Sequence, residues 1–198
     1  CSSDLGLPAW EALKDCAAAL ATAETSPKGR LIDMPADWNP RSSKIIKGLG
    51  LPFETMSAGS EGAMIAEMKA AVSAKSPLLI WFWSPHWIES ELPLERVTLP
   101  EYDPKCYDDP KWGANPNETW DCGIERAHVI KVASAGLKSK WPAAYQVMKD
   151  FQLTNAQQIA LMKTIDVDKV PLDKAIAEWI EKNSAVWQPW IDKAKAAQ

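Results

Sequence analysis

The segment SPLLIWFWSPHWIESEL, residues 76–92, places three tryptophans and a Pro-His pair at the end of one apolar run. The faces of Trp81, Trp83 and Trp87 attract cations through the aromatic quadrupole, and tryptophan gives the strongest attraction of this kind. His86 lies among them and is a candidate acid or base. A hydrolase would also need a nucleophile and its partner, and no such pattern accompanies His86 or His128, the other histidine. The segment therefore predicts binding by aromatic faces rather than a reaction.

The elements that must position these rings follow a β-α-β-α-β order. The pattern predicts strands over RLIDM, PFETM and LLIWFW, with helices from Pro40 to Lys47 and over SEGAMIAEMKAAVSAK. The last strand, Leu78 to Trp83, is apolar on both faces, which places it at the centre of a parallel sheet covered by helices. Ligands of such sheets bind beyond the carboxyl ends of the strands.

Two tryptophans fall at that edge, Trp83 at the end of the last strand and Trp38 in the loop after the first. They are our leading ligand contacts, and core packing is the alternative for each. Trp81 points the same way as Trp83 but one step deeper, which favours the core. Trp87, His86, Asp37 and Asn39 are further candidates; a loop-holding hydrogen bond is the alternative for His86, and capping of the next helix is the alternative for Asp37 and Asn39.

Most other tryptophans lie in helical patterns with a large apolar residue facing inward, and we expect five of them to be core: Trp10, Trp141, Trp179, Trp187 and Trp190.

The charge pattern argues against nucleic acid as a partner. The net charge is −4 and the basic residues are scattered, so no basic stripe is available for a phosphate backbone. The longest apolar run, Leu78 to Trp83, is too short to cross a bilayer. No cofactor is expected.

The four cysteines predict two disulfides, Cys106 with Cys122 and Cys1 with Cys16. The first pair brackets a turn-rich loop that would hardly hold a shape without a staple. Disulfides indicate an oxidising compartment such as the periplasm. Four reduced, buried thiols in a cytosolic protein are the alternative. The absence of a CxxC pair speaks against zinc.

The stapled loop also carries oxygen donors that would suit calcium, although their spacing is not that of an EF-hand loop. Solvated turn residues are the default interpretation, so no metal is predicted. The calcium candidates are Asp108, Asp109, Asn115, Asn117 and Asp121.

The chain divides into an α/β ligand-binding lobe over residues 1–133 and a helical region over residues 134–198. One more strand is predicted at the boundary between the two parts, over RAHVIKVAS, residues 126–134. The second part contains helices over SKWPAAYQVMKDF, TNAQQIALMKTID, PLDKAIAEWIEKN and SAVWQPWIDKAKAAQ, each with an apolar face.

The sequence resembles the substrate-binding proteins of ABC importers for quaternary amines. The resemblance lies in residues 57–87, which end in the motif Trp83-Ser84-Pro85-His86-Trp87, in GRLIDMPADWNPRS and in AIAEWIEKNSAVWQPWI. It implies a type II periplasmic-binding-protein-like fold with a mostly parallel sheet. It also implies a non-catalytic role in capturing glycine betaine, choline, proline betaine or trimethylamine N-oxide, with a membrane permease as partner.

Cation–π binding suits such ligands because a trimethylammonium group cannot donate a hydrogen bond. The resemblance implies that the chain corresponds to the second lobe and the C-terminal helices, without the part of the other lobe that would precede GLPAWEALKDC. On that reading, we expect this chain alone to bind amines poorly. Lipid anchoring at Cys1 is an alternative reading of the start. A carbohydrate-binding protein with tryptophan platforms is the first alternative function and a small hydrolase is the second, and the sequence does not select one amine.

Overall fold

A computed structural model describes residues 8–197, which divide into two compact units. The first unit contains residues 8–83 and 92–126, and the second contains residues 84–91 and 127–197. The structural division therefore comes earlier than the predicted boundary at 133/134 and moves the short segment 84–91 into the second unit. The two functional regions proposed from the sequence stay a prediction.

The first unit opens with an irregular stretch of short helical turns. A 3-10 turn over Trp10–Ala12 leads into α1, Leu13–Cys16, and a second 3-10 stretch covers Ala17–Leu20. The buried side chains Leu13, Cys16 and Leu20 nevertheless form part of one core. The rest of that core comes from Ala17, Ile45, Ile46, Leu49, Leu51 and Phe53.

The predicted β-α-β-α-β order is confirmed. The elements that follow are β1 (Gly29–Asp33), α2 (Ser42–Gly48), β2 (Phe53–Ser57), α3 (Glu61–Ala74) and β3 (Leu79–Ile80). The strands pair in parallel in the order β2-β1-β3, with Leu31 opposite both Thr55 and Leu79. This sheet brings the carboxyl ends of β1 and β3 to the same edge.

The position and length predicted for the third strand are wrong. β3 covers two residues rather than Leu78–Trp83, and β1 occupies the centre of the described sheet while β3 pairs with β1 alone. An apolar run indicates that both faces of a strand are shielded from water. It does not indicate whether the strand has hydrogen-bonded neighbours on both sides, as a central strand has, or on one side only. The hydrogen bonds between β1 and the segment 78–83 extend to Trp81, whose amide donates to the carbonyl of Ile32 at 2.8 Å.

The disulfide between Cys106 and Cys122 is present, as predicted. Within the loop that it closes, the Trp120 amide donates to the Cys106 carbonyl at 2.8 Å, and the Trp120 ring stacks on Tyr107 with the centroids 3.9 Å apart. Burial raises the pKa of the Tyr107 phenol, and the neighbouring Tyr102 adds to that shift. The predicted pairing of Cys1 with Cys16 involves Cys1, which lies outside the described residues.

The second unit is helical, as predicted. Its helices are α4 (Leu137–Lys140), α5 (Pro142–Asp150), α6 (Asn155–Met162), α7 (Leu172–Lys182) and α8 (Ser184–Lys195), and a π-helical turn over Lys163–Val167 extends α6. The side chain of Thr154 caps α6 and that of Gln157 closes the capping box. Nowhere in residues 8–197 is there a helix long and apolar enough to cross a bilayer.

The strand predicted over residues 126–134 is wrong, because the segment pairs with no strand among the described residues. Val129, Ile130 and Val132 are more than 70% exposed. The segment is tied down instead by Lys131, whose ammonium group donates to the carbonyls of Lys149 and Phe151 at the end of α5. A strand-like pattern without a paired neighbour does not form a ladder.

The tryptophans set aside as core are less buried than predicted. Trp141 is 66% exposed, and it lies between α4 and α5 rather than inside a helix. The other four are partly buried. Tryptophan is rarely fully buried because of its size, so a helical pattern overstates its burial.

Candidate functional site

Trp38 and Trp83 meet at the carboxyl-terminal edge of the sheet. Their ring centroids are 5.6 Å apart and their planes make an angle of 63°, an edge-to-face contact. Trp38 is 45% exposed, while Trp83 is partly buried. The structure thus brings together the two residues that the sequence placed first, and their role as ligand contacts stays a prediction.

The loop that carries Trp38 is built by a short turn after β1. Pro35 precedes a 3-10 turn over Ala36–Trp38, and the Trp38 amide donates to the Pro35 carbonyl at 3.0 Å. Asn39 ends the turn with φ of 56°, a left-handed conformation that asparagine tolerates better than most residues. The chain then enters α2 at Ser42.

The capping alternative for Asp37 and Asn39 is wrong. α2 begins at Ser42 instead of Pro40, its N-cap residue is Arg41, and no side chain caps it. Asp37 and Asn39 instead belong to the exposed turn that presents Trp38. A cap must lie immediately before the first helical turn, so the later start of the helix removes both residues from that role.

Two further aromatic rings extend the Trp38–Trp83 pair. The Trp81 ring lies 5.8 Å from that of Trp83, and the Phe82 ring stacks on Trp83 at 4.2 Å with an angle of 17° between the planes. Successive side chains of a strand point to opposite faces, so a stack between neighbours shows that the strand has already ended. The alternation that placed Trp81 in the core therefore does not apply, and Trp81 is only partly buried.

Phe82 was missed by the sequence analysis, which weighed only tryptophans. The available signal was the uninterrupted aromatic run Trp81-Phe82-Trp83 at the end of a short strand. The first unit thus presents four aromatic rings in one cluster, which we call the aromatic edge: Trp38, Trp81, Phe82 and Trp83.

His86 and Trp87 belong to the second unit. His86 is 2% exposed, its Nδ1 accepts a hydrogen bond from the Ile88 amide at 3.1 Å, and its own amide donates to Glu89 at 2.9 Å. The histidine thereby caps the 3-10 turn Trp87–Ser90. An imidazole that accepts at Nδ1 carries its proton at Nε2 when neutral. The expected loop-holding hydrogen bond of His86 is therefore present, and the Trp87 ring lies 5.2 Å from it.

The hydroxyl group beside His86 is not arranged as a nucleophile. Ser84 donates to the Glu89 carboxylate at 3.0 Å, and that carboxylate also receives the His86 amide. These bonds close a small structural ring of backbone and side chain. The geometry matches a turn held in place and does not resemble a serine-histidine pair.

Three of the five calcium candidates in the stapled loop accept backbone hydrogen bonds within the protein, although the Oδ1 atom of Asp121 is buried without a hydrogen-bond partner. Asp109 accepts from the Lys111 amide, Asn115 accepts from the Asn117 amide, and the buried Asp121 carboxylate accepts from the Asn115 amide. The Asn115 side chain also donates to the carbonyl of Gly48 at 3.0 Å, which ties the loop to the end of α2. Over the described part of the chain, no three His, Cys, Asp or Glu side chains are grouped so as to hold a metal ion.

The aromatic edge is suited to one kind of chemistry. Exposed indole faces attract cations and shield apolar groups from water, and Trp38, at 45% exposed, is the more accessible ring of the edge-to-face pair. Asp33, at the end of β1, and Ser42, at the start of α2, are buried and flank the loop that carries Trp38. Both were missed by the sequence analysis, and no motif marks them.

Comparison with known sequences identifies the family. Residues 3–182 match the model of the substrate-binding domain of ABC-type glycine betaine transport systems. The chain is 28% identical over 193 residues to the trimethylamine N-oxide-binding protein of Pelagibacter ubique, a match that covers 93% of this chain and 58% of that protein. A glycine betaine/carnitine transport binding protein of Listeria monocytogenes is also 28% identical, over 69% of this chain and 39% of its own length. The chain therefore spans about half the length of these relatives.

Solved structures show the same fold. The ProX glycine betaine/L-proline-binding protein of Borrelia burgdorferi aligns with a TM-score of 0.62 at 20% identity, over 98% of this chain and 65% of that chain. Lactococcal OpuAC, in its closed conformation with glycine betaine, aligns with a TM-score of 0.55 at 21% identity, over 82% and 57% of the two chains. The α/β fold is thus that of type II periplasmic binding proteins, as predicted. With the family model matching most of its length, the chain belongs to the substrate-binding domains of ABC-type glycine betaine transport systems.

Proposed function

We propose that the protein captures a quaternary or tertiary amine osmolyte for an ABC importer and does not transform it. The candidate solutes are glycine betaine, choline and trimethylamine N-oxide, and the partner is the membrane permease of the importer. The observation that carries the proposal is the contact between Trp38 and Trp83, at 5.6 Å, on the sheet edge where ligands of parallel sheets bind.

The physical reason is the poor hydrogen-bonding capacity of such an amine. A trimethylammonium group donates no hydrogen bond, so a protein must recognise its charge and its methyl groups by other means. Each desolvated indole face contributes up to about 2 kcal/mol through its quadrupole, and it covers the methyl groups at the same time. Trp38 and Trp83 are the leading contacts in this proposal.

The remaining candidates supply secondary contacts in the proposal. Asp37 and Asn39 lie on the exposed turn that carries Trp38, and His86 and Trp87 follow Trp83 closely in the chain. The Asn39 amide can donate to a carboxylate, a hydroxyl or an N-oxide oxygen of the solute, and the Asp37 carboxylate can accept from a hydroxyl. His86, which is 2% exposed, and Trp87 stay candidates for the same end of the solute. We place the protein in the periplasm, and the Cys106–Cys122 disulfide supports that placement because such bonds persist in oxidising compartments.

Tryptophan-fluorescence titration of the complete natural protein tests the proposal. Its arms are glycine betaine, choline, trimethylamine N-oxide, a soluble oligosaccharide and 3,3-dimethylbutan-1-ol, which has the shape of choline without its charge. We expect saturable binding of at least one amine, with the neutral alcohol weaker than choline by on the order of tenfold or more. Equal binding of the charged and neutral compounds would refute cation–π recognition, and binding of the oligosaccharide alone would favour a carbohydrate-binding protein.

A further inference from the structure

The loop that carries Trp38 is closed at both ends by one carboxylate oxygen. Asp33 Oδ1 accepts a hydrogen bond from the Met34 amide at 2.9 Å, where the loop begins, and another from the Ser42 hydroxyl at 2.9 Å, where α2 begins. The eight residues between Asp33 and Ser42, 34–41, include the whole turn that presents Trp38. One side chain thus fixes the separation between the loop's two ends.

Burial makes this clasp rigid and costly to lose. Asp33 is 3% exposed and Ser42 is 7% exposed, so water competes poorly for either group. Buried polar groups that lose a partner are penalised by their unrecovered desolvation, and the effect is larger for a carboxylate. The backbone of Asp33 is held as well, because the Asp33 carbonyl accepts a hydrogen bond from the Ala58 amide at 2.9 Å.

The clasp differs from the usual role of a serine at a helix start. α2 has no side-chain cap, and the Ser42 hydroxyl points back to the strand instead of capping the first turn of the helix. The start of the loop is tied a second time by Ser57, whose hydroxyl donates to the Met34 carbonyl at 2.7 Å. The Ser42 and Ser57 hydroxyls therefore stabilise the position of the loop, and neither of them caps α2.

We infer that Asp33 is a positioning residue for the proposed amine site: by holding both ends of the 34–41 loop, it sets the Trp38 ring against Trp83. The inference rests on the proposed function for its link to binding, but the geometry of the ring pair can be tested without a ligand. Asp33 acts through Trp38 and is assigned no contact with the solute.

The test uses two readouts on the same set of variants. The first is the circular-dichroism couplet produced by the Trp38–Trp83 pair, isolated by subtracting the spectrum of Trp38→Phe. The second is the affinity for the amine that binds most tightly. The disrupting variant is Ser42→Ala, which loses the hydroxyl. Two conservative variants are Ser42→Thr, which keeps the hydroxyl donor, and Asp33→Asn, which keeps an oxygen acceptor. The control is Ser60→Ala. Ser60 caps α3 with its hydroxyl and lies outside the loop, so this control removes a structural hydroxyl of the same kind.

We expect Ser42→Ala to lose at least half of the couplet and to weaken binding by on the order of tenfold. Ser42→Thr and Asp33→Asn should retain both, and Ser60→Ala should leave both unchanged. An intact couplet in folded Ser42→Ala, or an equal loss in Ser60→Ala, would overturn the inference. If the unmodified protein binds no amine, the proposed function fails while the couplet still decides the role of Asp33.

Hydrogen exchange on the unmodified protein provides a second measurement that needs no folded variant. The Met34 amide should be protected as well as the Ala58 amide, which bonds to the same residue through its backbone. Exchange of Met34 at the rate of an open loop amide would show that the clasp does not form, and would also overturn the inference.

Discussion

Removal of the Cys106–Cys122 disulfide should lower the free energy of unfolding by about 3 kcal/mol. The bridge spans a sequence separation of 16 residues, and the chain-entropy model gives about 3 kcal/mol at 25 °C for a loop of this length. The double variant Cys106→Ala/Cys122→Ala is the perturbation. Urea denaturation followed by circular dichroism is the assay, and a typical slope of about 1–3 kcal/mol per molar converts the loss to a midpoint shift of roughly 1–3 M.

The single variants separate the bridge from the packing of its sulfur atoms. Both cysteines are fully buried, so each replacement by alanine also removes packed atoms. Because either single replacement breaks the same bridge, each should lose nearly as much stability as the double variant. Losses that add, with the double variant about twice as destabilised as either single one, would refute the chain-entropy reasoning.

The local effect of the same variant should be confined to the loop. The Trp120 amide, which donates to the Cys106 carbonyl, should exchange faster in the double variant because the loop that holds it is no longer closed. The Ala58 amide, which bonds to β1, should exchange at its original rate. Faster exchange at both sites would mean that the staple supports the sheet itself.

Two further substitutions have matched controls within the chain. In the complete natural protein, Trp83→Ala should weaken amine binding by on the order of tenfold or more, since a desolvated ring contributes up to about 2 kcal/mol. The control Trp179→Ala, on α7, should have little effect on binding. Near-equal losses of affinity in titration would contradict the proposed role of Trp83 as a ligand contact. Gly113→Ala should destabilise the protein by about 1–3 kcal/mol because its Cβ would overlap the Asp121 carboxylate. The control is Gly59→Ala, where a Cβ would meet nothing within 4 Å, and it should shift the urea midpoint little. Equal midpoint shifts in the two variants would show that the protein accommodates a Cβ at position 113 without losing stability.

The parts of the fold that were predictable are those governed by local pattern. The alternation of short apolar strands with the periodic helix α3 indicated a parallel β-α-β-α-β arrangement, and the structure confirms it. The pairing of Cys106 with Cys122 followed from a turn-rich loop with little else to hold it. Parallel topology then brought Trp38 near Trp83, although they are far apart in the chain.

The parts that failed depend on hydrogen-bonding partners that the residue pattern does not specify. Val129 and Ile130 have strand-forming side chains, yet their segment pairs with no strand in the described residues. The pattern also gave no reason to end β3 at Ile80, which is why the stacking of Phe82 on Trp83 was missed. Asp33 was missed for a related reason: a single aspartate after a strand has many possible partners, and only the fold selects Ser42.

The Trp38–Trp83 pair, in the proposed role, supplies affinity that is common to all the candidate amines. Two desolvated faces contribute up to about 4 kcal/mol together, whereas a micromolar complex requires about 8 kcal/mol. The Trp38 ring is held by the clasped loop and so loses little conformational entropy on binding, which retains most of its contribution. The remaining half must come from other contacts. Because every candidate carries a methylated cationic nitrogen, an indole face does not distinguish one from another. Discrimination must therefore lie with polar groups that meet the carboxylate, hydroxyl or N-oxide oxygen, and so outside the aromatic edge.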